Sequence, residues 1–185
     1  MRVCMIGTGY VGIVTGSCLA ELGHEVICID KNAEKIAQIL AGKVPMYEPG
    51  LAELVESNRR LGRLEFSTDI SDAVRRNSVF YFIAVGTPSR HEDGGADLSH
   101  VYAAADETGR AIAGVNKDTN GFAVFVTKST VPVGTSREVA RIVGQHLGDA
   151  RFAVASNPEF LREGCAIRDF MEPDRIIAGS NSERA

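Results

Sequence analysis

Three glycines and one aspartate near the start of the chain have the types and spacing of a phosphate and ribose site. The glycines are Gly7, Gly9 and Gly12, and Asp30 follows the last of them by eighteen residues. The first glycine permits a tight turn, the second lets backbone approach a phosphate, and the third lets a helix pack closely on a strand. N–H groups at the start of that helix attract phosphate, while the Asp30 carboxylate can accept hydrogen bonds from ribose hydroxyls.

The segments around these four residues are those that such a site needs. An apolar run at 2–6 precedes the glycines, an amphipathic helical segment follows them, and a second apolar run at 25–29 leads into Asp30. This strand, turn, helix and strand pattern predicts a dinucleotide-binding unit. A 2′-phosphate would meet like charge at Asp30, which favours NAD over NADP, although the nearby Lys31 and Lys35 weaken that preference.

The rest of the chain alternates strand-like apolar runs with helical segments. We predict one α/β domain with a doubly wound, mostly parallel sheet of the Rossmann type and strand order 3-2-1-4-5-6. The unbroken apolar run at 79–85 predicts a strand buried on both faces. The segment 175–178 could add an extra strand. Ligands in such sheets lie beyond the carboxyl ends of the strands, so polar residues there carry the most interest.

Two threonines follow the ends of neighbouring predicted strands. Thr87 comes after the fourth strand and Thr130 after the fifth. Their hydroxyls can both donate and accept hydrogen bonds, so they could face the phosphates or ribose near the nicotinamide end of a cofactor. Ordinary turn chemistry explains the same residues equally well.

The end of the sixth predicted strand carries two glutamates. Asn157-Pro158 has the form of a helix N-cap followed by proline at the first helical position, which places Glu159 in the first turn and Glu163 on the same face. Two such carboxylates could serve acid–base chemistry or bind hydroxyls. Alternatively, they complement the helix dipole. The sequence leaves open whether the Asn157-Pro158 peptide bond is cis or trans.

Composition excludes several classes of function. A formal net charge of −4 over 185 residues gives no electrostatic reason to expect nucleic acid or an anionic membrane, and no apolar run reaches spanning length. The four cysteines have no metal-ligand spacing, so we predict no metal site. Their number and placement favour a reducing, cytoplasmic setting.

Taken together, five blocks of the sequence resemble the signature motifs of the nucleotide-sugar dehydrogenases, and among them the UDP-glucose 6-dehydrogenases. The resemblance runs in order along essentially the whole chain. The blocks are Gly7-Thr-Gly-Tyr-Val-Gly12, Tyr47-Glu-Pro-Gly-Leu51, Val85-Gly-Thr-Pro-Ser89, Lys128-Ser-Thr-Val-Pro-Val-Gly134 and Ser156-Asn-Pro-Glu-Phe-Leu-Arg-Glu163.

The resemblance implies a four-electron oxidation at C6 of UDP-glucose, giving UDP-glucuronate with two NAD. In that family a first hydride transfer makes an aldehyde, a cysteine captures it, a second transfer gives a thioester, and water releases the acid. Glu159 would be the active-site carboxylate that helps to position or activate this water. The implied cofactor-binding residues are Gly7, Gly9, Tyr10, Val11, Gly12, Asp30, Lys35, Thr87, Thr130 and Glu163. The implied substrate-binding residues are Glu159, Phe160, Leu161, Arg162 and Glu163.

The sequence also departs from the family pattern. The nucleophilic cysteine of the family stands in a Gly-Gly-Ser-Cys-Phe-Pro-Lys-Asp block, which residues 1–185 do not contain. They also lack the segment that supplies the catalytic lysine and asparagine of the family. Cys165 is not in such a block. We therefore expect residues 1–185 to be the N-terminal NAD-binding domain, without the central helix and the UDP-sugar-binding domain. Alone, it should bind NAD weakly and catalyse little. The full-length enzyme would be a homodimer or a higher oligomer.

Two other functions fit the same motifs. The first is a related enzyme, a GDP-mannose dehydrogenase or a UDP-N-acetyl-hexosamine dehydrogenase, whose first domain shares these blocks. The second is a non-catalytic nucleotide-binding module.

Overall fold

The computed structural model describes residues 1–92, 94–115, 121–148 and 151–185, which form seven strands and seven helices. In chain order these elements are β1 (Arg2–Ile6), α1 (Tyr10–Glu21), β2 (Glu25–Ile29), α2 (Ala33–Leu40), α3 (Leu51–Arg60), β3 (Leu64–Ser67), α4 (Ile70–Arg75), β4 (Phe80–Ile83), α5 (Ser99–Ala113), β5 (Ala123–Thr127), α6 (Thr135–Gly144), β6 (Phe152–Ser156), α7 (Ala166–Met171) and β7 (Gly179–Ser180). No helix in the described ranges is long and apolar enough to cross a membrane.

The strands form one sheet in the order β3-β2-β1-β4-β5-β6-β7. The first six are parallel, which confirms the predicted doubly wound α/β fold and its strand order. An extra strand is present, but the prediction of its position at 175–178 was wrong. The Asn157 amide donates to the Ile177 carbonyl at 2.7 Å, and backbone pairing to β6 begins only at Gly179. The resulting strand β7 is antiparallel to β6.

A hydrophobic core lies on each face of the sheet. On one face Tyr81 stacks on Phe125 with ring centroids 5.6 Å apart, and Phe152 meets Phe125 edge-on. On the other face α1 packs over β1 and β2. Strand β4 differs from the prediction of complete burial, because Phe80 and Phe82 only border this second core and stay half-buried.

Helix α1 is not the amphipathic helix that the sequence predicted. Every residue from Gly12 to Cys18 is buried, and so is Ala20. The reason is that α1 lies between the sheet on one side and α3 and α7 on the other. It approaches β2 so closely that a Cβ at Gly16 would stand 2.7 Å from the Cys28 sulfur. The first helix is therefore held firmly at the centre of the molecule.

Candidate functional site

Two glycines of the turn between β1 and α1 could not be replaced by another residue without movement of the backbone. Gly7 has φ of +100°, and a Cβ there would lie 2.7 Å from the Ala84 carbonyl oxygen. A Cβ on Gly12 would lie 1.9 Å from the Gly7 carbonyl oxygen. These contacts fix the start of α1 against the ends of β1 and β4. Val11, in the first turn, packs at the edge of the core.

Gly9 differs from those two glycines because a Cβ there would meet nothing within 4 Å. It is the N-cap of α1 and makes no side-chain hydrogen bond to the first turn. The N–H groups at the start of a helix have no acceptors within the helix, and their dipole end is positive. An uncapped helix start facing open space fits the diphosphate of a dinucleotide.

Asp30, at the end of β2, is held by four hydrogen bonds. Its carboxylate accepts from the Thr8 amide at 3.0 Å, the Thr8 hydroxyl at 2.6 Å, the Asn32 amide at 2.9 Å and Lys35 Nζ at 2.7 Å. Burial on its own would raise the pKa of Asp30, but the bonds from Lys35, Thr8 and Asn32 outweigh it and lower the pKa to about 2. The carboxylate is therefore ionised and fixed in direction.

Thr8 is a residue that the sequence analysis missed. It occupies the variable position between two glycines of the motif, where a motif gives no signal, yet it is fully buried and bonds Asp30 through both its amide and its hydroxyl. Lys35, which we expected to touch the cofactor, is ion-paired with Asp30 instead of standing free.

A cleft of about 660 Å³ lies beyond the carboxyl ends of β1, β2 and β4. Gly7, Gly9, Asp30 and Lys35 line it together with Gly86, and one face of α5 also lines it. This is the position at which doubly wound sheets bind dinucleotides. Four of the predicted cofactor residues thus share one cleft.

Thr87 and Thr130 come together beyond the ends of β4 and β5. The Thr87 hydroxyl donates to the Thr130 carbonyl oxygen at 3.2 Å. Next to them the Ser129 hydroxyl donates to the Val85 carbonyl oxygen at 2.7 Å. The two loops are therefore tied into one surface beside the glycine turn.

The predicted helix at Asn157-Pro158 is absent, so the two glutamates do not share a helical face. Residues 157–162 form neither helix nor strand, and helix α7 begins only at Ala166. The Asn157 side chain caps no helix and instead accepts from Lys128 Nζ at 2.9 Å and donates to the Ile177 carbonyl. The Asn157-Pro158 peptide bond is trans.

Residues 159–163 form a loop whose side chains point to different partners. The half-buried Glu159 accepts from the Leu161 amide at 2.6 Å, while Leu161 packs against the core. Phe160 is 54% exposed. Arg162 makes a two-point ion pair with Asp169, with a closest contact of 2.6 Å, and this lowers the pKa of Asp169 to about 2. Glu163 is exposed.

Lys128, a second residue that the analysis missed, is buried beneath this loop. Its ammonium lies 5.9 Å from the Phe170 ring centroid, in addition to its bond to Asn157. Burial lowers the pKa of Lys128, and the nearby charge of Glu159 partly opposes that shift. Lys128 begins the block Lys128–Gly134, but nothing in the sequence indicated that its side chain is buried.

Glu48 is the residue that joins the loop to the glycine turn. It is 7% exposed and accepts from the Tyr10 hydroxyl, from the Gly164 amide at 2.8 Å and from the Ile167 amide at 3.4 Å. Burial opposes its ionisation, but these bonds lower the pKa of Glu48. Burial and the bond to Glu48 raise the pKa of Tyr10, and the nearby charge of Glu163 raises it further. The block Tyr47–Leu51 contained this residue without indicating its partners.

Three of the four cysteines are buried in the core. Cys4, Cys18 and Cys28 are fully buried, and burial raises the pKa of each, to about 12 for Cys18 and Cys28. Cys165 is exposed at the start of α7.

Comparison with known sequences identifies this arrangement. The family model for the UDP-glucose/GDP-mannose dehydrogenase family, NAD binding domain, matches residues 1–185. The chain is 54% identical over 179 residues to a UDP-glucose 6-dehydrogenase of Rhizobium meliloti, covering 97% of this chain and 39% of that protein. It is 48% identical to UDP-glucose 6-dehydrogenase TuaD of Bacillus subtilis over 100% of this chain and 38% of that protein.

Solved structures agree with the sequences. A UDP-glucose dehydrogenase from Pyrobaculum islandicum superposes with a TM-score of 0.90 at 44% identity, covering 99% of this chain and 41% of that one. A GDP-mannose dehydrogenase from Pseudomonas aeruginosa gives a TM-score of 0.91 at 38% identity, covering 100% and 42%. The chain thus spans about two fifths of the length of these relatives. Since the family model covers every residue, the chain belongs to the UDP-glucose/GDP-mannose dehydrogenase family and is of its NAD-binding domain type.

Proposed function

We propose that the protein containing residues 1–185 is a UDP-glucose 6-dehydrogenase, which oxidises UDP-glucose to UDP-glucuronate with two NAD. The observation that carries the proposal is the cleft, in which an uncapped helix start at Gly9 and an ionised Asp30 stand side by side. Similarity to UDP-glucose 6-dehydrogenases over nearly the whole chain supports the choice of substrate.

In this proposal each group of residues has a separate task. The start of α1, at Gly9, Tyr10 and Val11, binds the diphosphate, and Asp30 accepts from the hydroxyls of the adenosine ribose. Thr8 and Lys35 hold the Asp30 carboxylate in place. When bound, NAD supplies the acceptor for hydride.

Thr87 and Thr130 would border the far end of the cofactor, since they form one surface beyond β4 and β5. Glu159 would be the carboxylate beside the reacting carbon, and residues 159–163 would border the sugar. The position of Glu159 on a loop that Lys128 and Glu48 fix from below supports this role. Its bond to the Leu161 amide would hold the carboxylate at that place.

We also propose that residues 1–185 act as the NAD-binding domain of a larger enzyme and catalyse little alone. The relatives are about two and a half times as long, and three of the four cysteines are buried with raised pKa values. The enzyme would work in a reducing, cytoplasmic setting, which suits free buried thiols, and as a dimer or higher oligomer.

Titration of NADH against the chain tests the cofactor site. The chain contains no tryptophan, so the fluorescence of the bound nicotinamide can be followed directly. Asp30→Ala should weaken binding by about 10- to 100-fold, because a carboxylate hydrogen bond to a ligand hydroxyl is worth about 1.5–3 kcal/mol. Asp174→Asn, on the surface outside the cleft, is the control. Equal affinities for the two variants would contradict the proposal.

A related substrate remains the second candidate, because the GDP-mannose dehydrogenase superposes as well as the UDP-glucose enzyme does. The whole protein should be assayed with NAD and each of UDP-glucose, GDP-mannose and a UDP-N-acetyl-hexosamine. We expect UDP-glucose to give the highest kcat/KM. Turnover of GDP-mannose alone would transfer the assignment to that enzyme, and NAD binding without turnover of any of the three would indicate a nucleotide-binding module.

A further inference from the structure

The cleft beside Asp30 holds a second lysine–carboxylate pair. Lys31, the second residue after β2, places Nζ 2.7 Å from Oε2 of Glu107 on α5. Both residues line the cleft. This ion pair joins the segment after β2 to α5, whereas Lys35 and Asp30 both belong to the segment 30–35.

Glu107 lies on the cleft-facing side of α5. The residues of α5 that line the cleft recur at helical spacing, and they are Ser99, His100, Ala103, Ala104, Glu107 and Thr108. Of these residues the two alanines have small side chains, and Glu107 carries the carboxylate. The charged residues of the described lining are thus two lysines and two carboxylates, with His100 as a further titratable group. Their charges cancel in pairs.

This balance bears on which dinucleotide the cleft accepts. A 2′-phosphate on the adenosine ribose would need an unpaired cation near Asp30. Lys31 and Lys35 both stand there, but Lys35 is bound to Asp30. Because Asp30 is paired with Lys35, the positive charge of Lys31 is balanced by a different carboxylate, that of Glu107.

We propose that Glu107 is a second determinant of the preference for NAD over NADP, acting through Lys31. Asp30 repels a 2′-phosphate directly, and Glu107 removes the cation that would otherwise attract it. This inference rests on the proposed function, because it requires the adenosine ribose to lie at Asp30. The sequence motif alone assigns the preference to the acid that ends β2, and Glu107 lies 77 residues farther along the chain.

The exposure of the pair makes the proposal testable without loss of the fold. The side chain of Lys31 is 74% exposed and that of Glu107 is 43% exposed. Ion pairs so open to solvent add little to stability. Substituting Glu107 should therefore change the charge of the cleft and leave the free energy of unfolding almost unchanged.

The experiment compares NADH and NADPH affinities by nicotinamide fluorescence in the protein and three variants. Glu107→Gln should bind NADPH about five- to tenfold more tightly, as expected for one released cation near a phosphate, and NADH within about twofold of the parent. The gain should shrink as salt is added. Glu107→Gln combined with Lys31→Met should lose the gain, because no cation is released.

Glu138→Gln on α6 is the matched control, since Glu138 is 39% exposed and pairs with Arg141 at the same 2.7 Å, away from the cleft lining. If Glu107→Gln leaves the NADPH affinity unchanged while Asp30→Ala still weakens NADH binding, this inference is overturned and the proposed function stands. An equal gain for NADH and NADPH would also overturn it, because it would mean general attraction. If Asp30→Ala does not weaken NADH binding, both this inference and the proposed function are contradicted.

Discussion

The glycine turn with Asp30 and the loop at 157–165 lie at the same edge of the sheet but are held in different ways. The first is held mostly by nearby residues, since Gly12 packs on the Gly7 carbonyl and the Thr8 and Asn32 amides bond Asp30, although Gly7 also packs on Ala84, 77 residues farther along the chain. The second has no helix of its own and is fixed from outside, by Glu48 and Lys128. The comparison shows that a cofactor site can be encoded locally while the neighbouring reactive loop depends on distant parts of the chain.

The largest effect on stability is expected in the locally encoded region. Gly12→Ala would place a methyl group 1.9 Å from the Gly7 carbonyl oxygen, a backbone atom that cannot turn aside. Helix α1 would have to leave the sheet, so we expect the variant to lose about 3–5 kcal/mol of unfolding free energy or not to fold. Urea unfolding followed by circular dichroism measures this. A loss below about 1 kcal/mol would mean that the turn is looser than described.

The loop should respond most strongly to a residue far from it in the sequence. Glu48→Ala removes the acceptor for the Tyr10 hydroxyl and for the Gly164 and Ile167 amides. We expect a loss of about 2–4 kcal/mol, since buried donors are left unpaired. Glu48→Gln keeps the volume and one acceptor oxygen, so its loss should be clearly smaller. Equal losses for the two substitutions would contradict a hydrogen-bonding role.

The difference between the regions also explains what the sequence could predict. Strand order, the glycine turn and Asp30 follow from short-range patterns, because turn geometry and alternating elements are local properties. The helix predicted at Asn157-Pro158 is absent, and the Asn157 side chain bonds the distant Lys128 and Ile177 instead. Glu48 and Lys128 belong to this second kind and owe their position to tertiary contacts that no spacing rule contains. Thr8 was missed for another reason, because it fills a variable position of the glycine motif.

Lowering the pH should reduce the contribution of the Asp30 hydrogen bonds to stability over a defined pH range. The pKa of Asp30 is lowered from 3.8 to about 2 in the folded protein, so its stabilising contribution is complete above the unfolded value and disappears as pH falls through the folded one. We expect about 1–2 kcal/mol to be lost between about pH 4 and 2. Thr8→Val, which removes one donor to Asp30, should flatten this part of the curve of unfolding free energy against pH.

A Thr8→Val slope equal to that of the parent protein would show that the Thr8 hydroxyl does not stabilise the ionised carboxylate.

The smallest effect on stability is expected at Gly9, although it belongs to the same turn as Gly12. A methyl group there meets nothing within 4 Å, and the residue has φ of −67°, which alanine adopts freely. Gly9→Ala should therefore change the free energy of unfolding by less than about 1 kcal/mol. It should nevertheless weaken NADH binding about tenfold or more, because the methyl group enters the space proposed for the diphosphate. Unchanged affinity would place the diphosphate elsewhere.

A crystal structure of the chain with NAD tests the central claim most directly. We expect the diphosphate at the N–H groups that begin α1, next to Gly9, and the adenosine ribose hydroxyls within hydrogen-bonding distance of Asp30. An ordered dinucleotide whose diphosphate lies away from α1, or whose ribose makes no contact with Asp30, would contradict it.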